Sequence, residues 1–141
     1  GKQLASARKS ASRHTQISLV KDSVYSLLRH DDDPHGGTDP ERYDLIYCSG
    51  LYDYLNDRVI KALNTYFYKR LAPGGALVVG NFAPCTPVRR FIEHFLEWFL
   101  IYRGQDQFAR LAPDQALPEN CEVSAEPTGA NIFLNVRKPD D

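Results

Sequence analysis

Short apolar runs alternate along the chain with segments of helical periodicity. The runs are rich in β-branched and aromatic residues, and they fall at 17–20, 43–48, 76–80, 121–125 and 132–136. Those at 43–48 and 76–80 are apolar at successive positions, which predicts strands covered on both faces, as in a parallel sheet. The last two runs are joined by a short turn segment around Gly129 and predict an antiparallel hairpin.

Two of the intervening segments predict amphipathic helices. The first has a suitable N-cap at Asn56 or Asp57, ends before Pro73-Gly74-Gly75, and repeats apolar residues at Val59, Ile60, Leu63, Phe67 and Leu71. The second opens at Thr86-Pro87, ends at Gly104, and carries an apolar stripe of Val88, Phe91, Ile92, Phe95, Phe99 and Tyr102. Residues 24–28 predict a short helical or irregular piece.

Strands that alternate with helices and finish in a hairpin predict an open α/β domain. We expect a mostly parallel sheet with helices on both faces and a C-terminal antiparallel hairpin. The length of 141 residues fits a single domain over 1–141. Residues 30–41 combine Asp, Gly and Pro with no large apolar side chain, which predicts a surface loop.

Charge and cysteine content argue against several classes of protein. Lys and Arg number 17 against 18 Asp and Glu, so the chain lacks the basic footprint of most nucleic-acid binders. No apolar run approaches the ~20 residues of a membrane span. The cysteines, Cys48, Cys85 and Cys121, are far apart and odd in number, which favours neither disulfides nor a zinc site and fits the reducing cytoplasm.

One combination of motifs resembles a known family. Tyr43-Asp44-Leu45-Ile46 is followed by a helix and then by the pattern Leu-x-Pro-Gly-Gly-x-Leu over 71–77, before the closing hairpin. This order resembles the second half of a class I S-adenosylmethionine-dependent methyltransferase, with a partial Rossmann-like fold. The segments 48–55, 80–82 and 128–133, with Glu97-Trp98 and Tyr102-Arg103, are similar to bacterial enzymes that form 3-hydroxy fatty acid methyl esters.

The chain also departs from that family. No Gly-x-Gly-x-Gly follows a strand and opens a helix, so the Gly-rich loop that would admit the methionine part of the cofactor is missing, together with the first strands. The resemblance therefore implies the C-terminal part of a longer methyltransferase. We expect this part alone to hold half a cofactor site and to be inactive.

The resemblance implies residues for each side of the site. Those on the cofactor side, for S-adenosylmethionine, are Asp22, Ser23, Cys48, Ser49, Gly50 and Leu51. Those on the side of a small apolar acceptor, such as a fatty acid, are Tyr52, Asn81, Phe82, Trp98, Arg103 and Asn131. Each has an ordinary structural alternative, because Asp22 suits a helix cap, Asn81 suits a turn, and Trp98 and Arg103 suit packing.

No catalytic residue is identified, and the mechanism needs none of the usual pairs. A fatty acid carboxylate is already an anion, so methyl transfer to it requires positioning and exclusion of water rather than a general base. Glu93, His94 and Glu97 lack the order of a helical zinc motif, so no metal is expected.

A second hypothesis is a non-catalytic Rossmann-like binding or assembly module. An unpaired sheet edge would then be covered by another chain, and we expect a homodimer through it. An α/β hydrolase or another nucleotide-binding enzyme is disfavoured, since neither a Gly-x-Ser-x-Gly elbow nor a P-loop is present.

Overall fold

One mixed four-stranded sheet organises the chain, which the computed structural model describes at residues 16–30, 42–85 and 89–140. Its strands stand in the order β1-β2-β4-β3 and are β1 (Tyr43–Cys48), β2 (Leu71–Phe82), β3 (Cys121–Ala125) and β4 (Asn131–Arg137). β1 and β2 are parallel, while β4 is antiparallel to both β2 and β3. The α/β class and the hairpin are confirmed. Within the described residues only one strand pair is parallel, so the expected mostly parallel sheet is corrected to a mixed one.

In the described residues four α-helices accompany the sheet, namely α1 (Val24–His30), α2 (Asp57–Lys69), α3 (Arg89–Phe95) and α4 (Gln105–Ala109). The predicted cap of α2 is confirmed, since the Asn56 side chain accepts a 3.0 Å hydrogen bond from the Val59 amide. The buried core joins α2 and α4 to alternate residues of β2 and β4 and includes Ile60, Leu63, Leu77, Val79, Phe108, Ile132, Leu134 and Val136. On β4 the residues between these core positions, Phe133 and Asn135, are only half-buried.

The predicted strand at 17–20 is absent, because these residues form no regular structure. Leu19 and Val20 are exposed, the latter by 85%. The described sheet ends at β1, and residues 17–20 do not pair with its outer edge. β-branched residues favour a strand only when a neighbour supplies hydrogen bonds and packing.

β1 and β2 differ in how far they are covered. Leu77 and Val79 of β2 are fully buried and Val78 is half-buried, as predicted for a strand with both faces packed. In β1, by contrast, Leu45 and Tyr47 are each 61% exposed. The prediction that both faces of β1 are covered is therefore wrong for the described residues, and β1 is the end strand of their sheet.

The Pro73-Gly74-Gly75 segment lies inside β2 rather than before it. Tyr43 pairs with Leu71 and Leu45 with Ala76, so β2 bulges away from β1 between these pairs. Gly74 adopts φ +72°. A Cβ on Gly75 would lie 2.8 Å from the Ala72 carbonyl oxygen and 2.9 Å from that of Tyr43, so only glycine fits there.

The long helix predicted up to Gly104 is shorter than expected. α3 ends at Phe95, Glu97 has φ 48°, and Phe99 and Tyr102 lie in an extended segment. Gly104 is the N-cap of α4 instead of a helix end. Tertiary hydrogen bonds made by residues 101 and 103, described below, hold the segment out of helical geometry. The predicted helix start at 86–88 and residues 31–41 of the predicted loop lie outside the described residues.

Candidate functional site

The turn that leaves β1 lies over the end of β2. Cys48 is the last residue of β1, and Gly50 has φ +77°, a conformation that glycine adopts without strain. The Ser49 Oγ lies 3.6 Å from the position that a Cβ on Gly80 would take. The structure thus brings four predicted cofactor residues, Cys48 to Leu51, to the carboxyl ends of two parallel strands. Open α/β sheets bind their ligands at such an end.

The Cys48 thiol is not set up as a nucleophile. Burial, followed by the negative charge of Asp53, raises the pKa of Cys48 to about 11. The group is therefore a neutral thiol at physiological pH, and only a thiolate is strongly nucleophilic. Cys48 can contribute apolar contact and shape at this edge, but not covalent catalysis.

The structure places Asp22 and Ser23 at the start of α1. The Asp22 carboxylate accepts a 2.8 Å hydrogen bond from the Ser23 amide, and the Ser23 Oγ accepts one of 3.1 Å from the Ser26 amide. The bond of Ser23 is that of a helix N-cap, so Ser23 rather than the expected alternative Asp22 caps α1. Their predicted contact with a cofactor stays a prediction.

Tyr52 lies in the core beneath the turn. Its ring is fully buried and meets Phe108 edge to face, with centroids 6.4 Å apart. Its hydroxyl donates a 2.6 Å hydrogen bond to the Asn64 Oδ1, and the Asn64 Nδ2 donates one of 2.7 Å to the Leu111 carbonyl. Burial, with a smaller effect of Cys48, raises the pKa of Tyr52 well above its usual value.

Arg103 and Asn81, both predicted on the acceptor side, bond to each other in the interior. The Arg103 Nη1 donates a 2.7 Å hydrogen bond to the Asn81 Oδ1. The Asn81 Nδ2 donates bonds of 2.9 and 3.0 Å to the carbonyls of Phe82 and Ile101. Both side chains are buried, so their hydrogen-bonding groups face protein atoms.

Two carboxylates beside Arg103 were not predicted as functional residues. The Asp53 Oδ1 accepts a 2.7 Å hydrogen bond from the Phe82 amide, and burial raises its pKa despite that bond and the charge of Arg103. The Asp57 Oδ1 is 2.8 Å from the Arg103 Nε, and a hydrogen bond from Gln107 is the largest cause of its lowered pKa. Asp53 lies between two tyrosines and Asp57 opens a helix, and neither pattern indicates a buried partner 46 or more residues away.

Trp98, Phe82 and Asn131 are more accessible members of the predicted acceptor side. The Trp98 Nε1 donates a 2.5 Å hydrogen bond to the Tyr54 hydroxyl, which links the residue-98 segment to the turn after β1. Phe82 and Asn131 pair across β2 and β4 at the same end of the sheet, and both are half-buried. Large apolar side chains near Trp98 in the sequence are exposed, and we call them the aromatic surface around Trp98: Phe91, Phe95, Leu96, Phe99 and Ile101.

A second concave surface follows β1. The cavity has a volume of about 450 Å³, and it is lined by Val20, Leu27, Tyr43, Leu45, Ile46, Tyr47, Tyr66, Phe67 and Arg70. Its lining combines four residues of β1 with the last turns of α2 and with residues 20 and 27. The cavity therefore follows β1 between the two helices.

Neither metal-binding groups nor membrane spans are found in the described part of the chain. No group of three or more His, Cys, Asp and Glu side chains there is arranged to hold a metal ion. Across residues 16–30, 42–85 and 89–140, no helix is long and apolar enough to cross a bilayer.

Solved structures share this architecture. Human N-acetylserotonin methyltransferase, in complex with SAM, aligns with a TM-score of 0.58 at 14% identity, over 96% of this chain and 37% of that one. The N-methyltransferase NodS of Bradyrhizobium japonicum, in complex with S-adenosyl-L-homocysteine, aligns with a TM-score of 0.54 at 19% identity, over 96% and 61%. The chain has a methyltransferase-like fold. SibL, an S-adenosylmethionine-dependent methyltransferase in its apo form, aligns with a TM-score of 0.55 at 13% identity, over 74% and 33%.

These identities show the fold alone. This chain spans 37% of the human enzyme, 61% of NodS and 33% of SibL. No protein-family model matches the sequence, and the comparison with curated proteins gives no match. The likeness to enzymes that form 3-hydroxy fatty acid methyl esters stays a prediction.

Proposed function

We propose that the chain is the C-terminal part of an S-adenosylmethionine-dependent methyltransferase. The observation that carries this proposal is the alignment of 96% of the chain with two methyltransferases solved with SAM or S-adenosyl-L-homocysteine bound. The predicted cofactor turn, Ser49 to Leu51, leaves a parallel strand at the end of the sheet where such folds bind ligands.

The turn residues fit part of the cofactor. A Cβ on Gly50 would meet no atom within 4 Å, so the backbone there is open to a ligand. Ser49 supplies a hydroxyl, and Leu51 and Cys48 supply apolar contact for an adenine ring. These groups would hold the adenosine part, and the bound cofactor would supply a methyl group on a sulfonium. The Gly-rich loop for its methionine part would come from elsewhere in the whole protein.

For the acceptor we propose a small apolar molecule with an anionic group, such as a 3-hydroxy fatty acid. The exposed aromatic surface around Trp98 offers contact for its apolar part, next to Phe82 and Asn131 at the sheet end. Tyr52, Asn81 and Arg103 would support this site without contacting the acceptor, because their polar groups are hydrogen-bonded within the protein. A carboxylate acceptor needs no base, which agrees with the neutral thiol of Cys48.

The test is calorimetric titration with S-adenosylhomocysteine. The 141-residue chain is compared with the same chain extended upstream to the length of the matched methyltransferases. We expect binding by the extended chain and none, or far weaker binding, by the short one. Absence of binding by both would refute the methyltransferase proposal.

The second candidate function is assembly through the β1 edge. The cavity of about 450 Å³ favours it, because the cavity presents side chains of β1 that a partner could cover. β1 is the end strand of the described sheet, and Leu45 and Tyr47 are each 61% exposed beside this edge. An edge of this kind can pair with another chain, because its outer backbone groups and apolar side chains gain partners together. The occupant we propose is a second copy of this chain.

Light scattering of the 141-residue chain over a concentration series tests this alternative. We expect a dimer that Leu45→Lys or Tyr47→Lys dissociates, since a lysine disfavours edge pairing. Leu117→Lys is the matched control, because Leu117 is half-exposed and lies outside this cavity. A monomer at high concentration, or dissociation by all three variants alike, would contradict edge pairing.

A further inference from the structure

Arg103 is a charged side chain with no exposed surface. Its relative exposure is 0%, although it lies in an extended segment between two short helices. The Nε donates to the Asp57 carboxylate at 2.8 Å, and the Nη2 donates to the Leu55 carbonyl at 2.5 Å. The Nη1 donates to the Tyr52 carbonyl at 3.0 Å and to the Asn81 Oδ1 at 2.7 Å. The guanidinium is therefore committed to protein acceptors.

Arg103, Asp53 and Asn81 form a polar cluster that we call the clasp. It joins three segments that are distant in sequence, which are the turn after β1, the end of β2, and residues 98–103. Main-chain bonds complete it, since the Ile101 amide donates to the Asp53 carbonyl at 2.7 Å and the Arg103 amide donates to the Phe82 carbonyl at 3.0 Å.

Packing alone does not account for an arginine at this place. Moving a guanidinium out of water costs several kcal/mol, and apolar residues of similar volume often replace buried ion pairs without loss of stability. What an apolar residue cannot do is hold acceptors of residues 52–57 and the Asn81 side chain at one set of distances. The planar fork of arginine does this, and lysine does not.

The clasp stands between the two proposed sides of the site. The cofactor turn, Ser49 to Leu51, precedes Tyr52 and Leu55, whose carbonyls Arg103 holds. Trp98 lies in the segment that leads to Arg103, and its Nε1 donates to the Tyr54 hydroxyl at 2.5 Å. The turn and the aromatic surface are thus tied to one another through Arg103.

We propose that Arg103 is a positioning residue that couples the cofactor turn to the aromatic surface around Trp98. It touches neither ligand itself, which differs from the acceptor contact expected from the sequence. The inference rests on the proposed methyltransferase function for its ligand, but the coupling of the two segments is a property of this chain. Occupation of the turn should therefore change the surroundings of Trp98.

Trp98 makes the proposal measurable, because it is the one tryptophan of the chain. We would titrate the upstream-extended protein with S-adenosylhomocysteine, after replacing by Phe any tryptophan that lies outside these 141 residues, and follow both Trp98 emission and the calorimetric Kd. Wild type should show a ligand-dependent change in emission. Arg103→Met should lose that change and bind about tenfold more weakly, a loss of about 1.4 kcal/mol. It should also unfold at a lower urea concentration, because the acceptors of Arg103 lose their donor, so both titrations are made without urea. Arg103→Lys should fall between the two.

Arg58→Met is the matched control, since Arg58 is exposed on α2. Unchanged affinity and unchanged Trp98 response in Arg103→Met would overturn the proposal and leave Arg103 a structural residue. If Arg103→Met does not fold, Arg103→Lys decides by the same two readings.

Failure of the wild type to bind S-adenosylhomocysteine would refute the methyltransferase function instead. The clasp is then judged by acrylamide quenching of Trp98 without ligand. Quenching should rise in the folded Arg103 variant and not in Arg58→Met. Equal quenching in both would overturn the coupling as well.

Discussion

Replacing Tyr52 by Phe removes one oxygen from the interior and nothing else. The Tyr52 hydroxyl donates to the Asn64 Oδ1 at 2.6 Å, and both residues have 0% exposure. Phe retains the ring and its edge-to-face contact with Phe108. The variant therefore isolates one buried hydrogen bond, and it leaves the Asn64 oxygen without that donor.

The expected cost follows from the burial of both partners. A buried acceptor left unpaired costs about 1–3 kcal/mol, more than the net value of about 1 kcal/mol for an ordinary hydrogen bond. Because Asn64 is held by its second bond, to the Leu111 carbonyl at 2.7 Å, it is not free to turn toward water. We therefore expect Tyr52→Phe to lower the free energy of unfolding by about 1–3 kcal/mol.

Urea unfolding followed by far-ultraviolet circular dichroism measures this loss. Tyr54→Phe is the matched control, because it removes the same atom and the bond from Trp98 at an exposed site, where water can replace the lost partner. Its cost should stay within about 0.5 kcal/mol. A double-mutant cycle with Asn64→Ala should give a coupling free energy of at least about 0.5 kcal/mol. Equal stability of the two phenylalanine variants would refute the reasoning, and so would zero coupling.

Three further changes test other parts of the fold. Burial raises the pKa of Asp53. Protonation of Asp53 therefore stabilises the folded state below the unfolded pKa of about 3.9, and this stabilisation is lost as the pH rises through the folded pKa. Asp53→Asn should flatten that part of the curve of stability against pH, which urea midpoints measure. Gly75→Ala should destabilise by about 1–3 kcal/mol in thermal unfolding, since the new Cβ would meet backbone oxygens at 2.8 and 2.9 Å. Asn56→Ala should cost about 1 kcal/mol in urea unfolding through loss of the bond to the Val59 amide; no loss would mean that water replaces the cap.

Local signals explain which elements were predictable. The Asn56 cap, the periodicity that follows it and the hairpin turn before Asn131 depend on nearby residues, and the structure confirms all three. Pro73-Gly74-Gly75 was predicted to follow the end of a helix and precede the strand, yet it forms a bulge within β2. Glycine marks where the backbone departs from regular geometry, but not which irregular form it takes.

The helix predicted up to Gly104 is a case in which the local sequence pattern does not determine the secondary structure. Its apolar stripe is periodic, yet the chain leaves the helix after Phe95. Arg103 and the Ile101 amide find partners near the turn after β1, and a continued helix would forgo those long-range bonds. Interactions between residues about 50 positions apart produce no periodic pattern in the sequence. Here such tertiary contacts override the local helical preference.

The position of the segment that follows β1 was predictable from the sequence, but the contacts of the candidate site residues were not. Alternation of strands and helices indicates that side chains after β1 and β2 meet at one edge, and the structure brings Ser49 and Gly80 together there. Residue type alone does not say which polar groups face a ligand and which face each other. Asn81 and Arg103 have the chemistry of acceptor binding, and the structure pairs them in the interior at 2.7 Å.

The two exposed features of the chain differ in the kind of partner they need. At the β1 edge, exposed Leu45 and Tyr47 accompany a strand that ends the described sheet, so a partner there can gain backbone hydrogen bonds as well as apolar burial. Around Trp98 the exposed side chains come from a short helix and an extended segment, so a partner gains apolar contact without a ladder of hydrogen bonds. A polypeptide suits the first surface and a small apolar molecule the second. Because the two surfaces suit different partners, the proposed edge pairing and the proposed methyl transfer are compatible in one molecule.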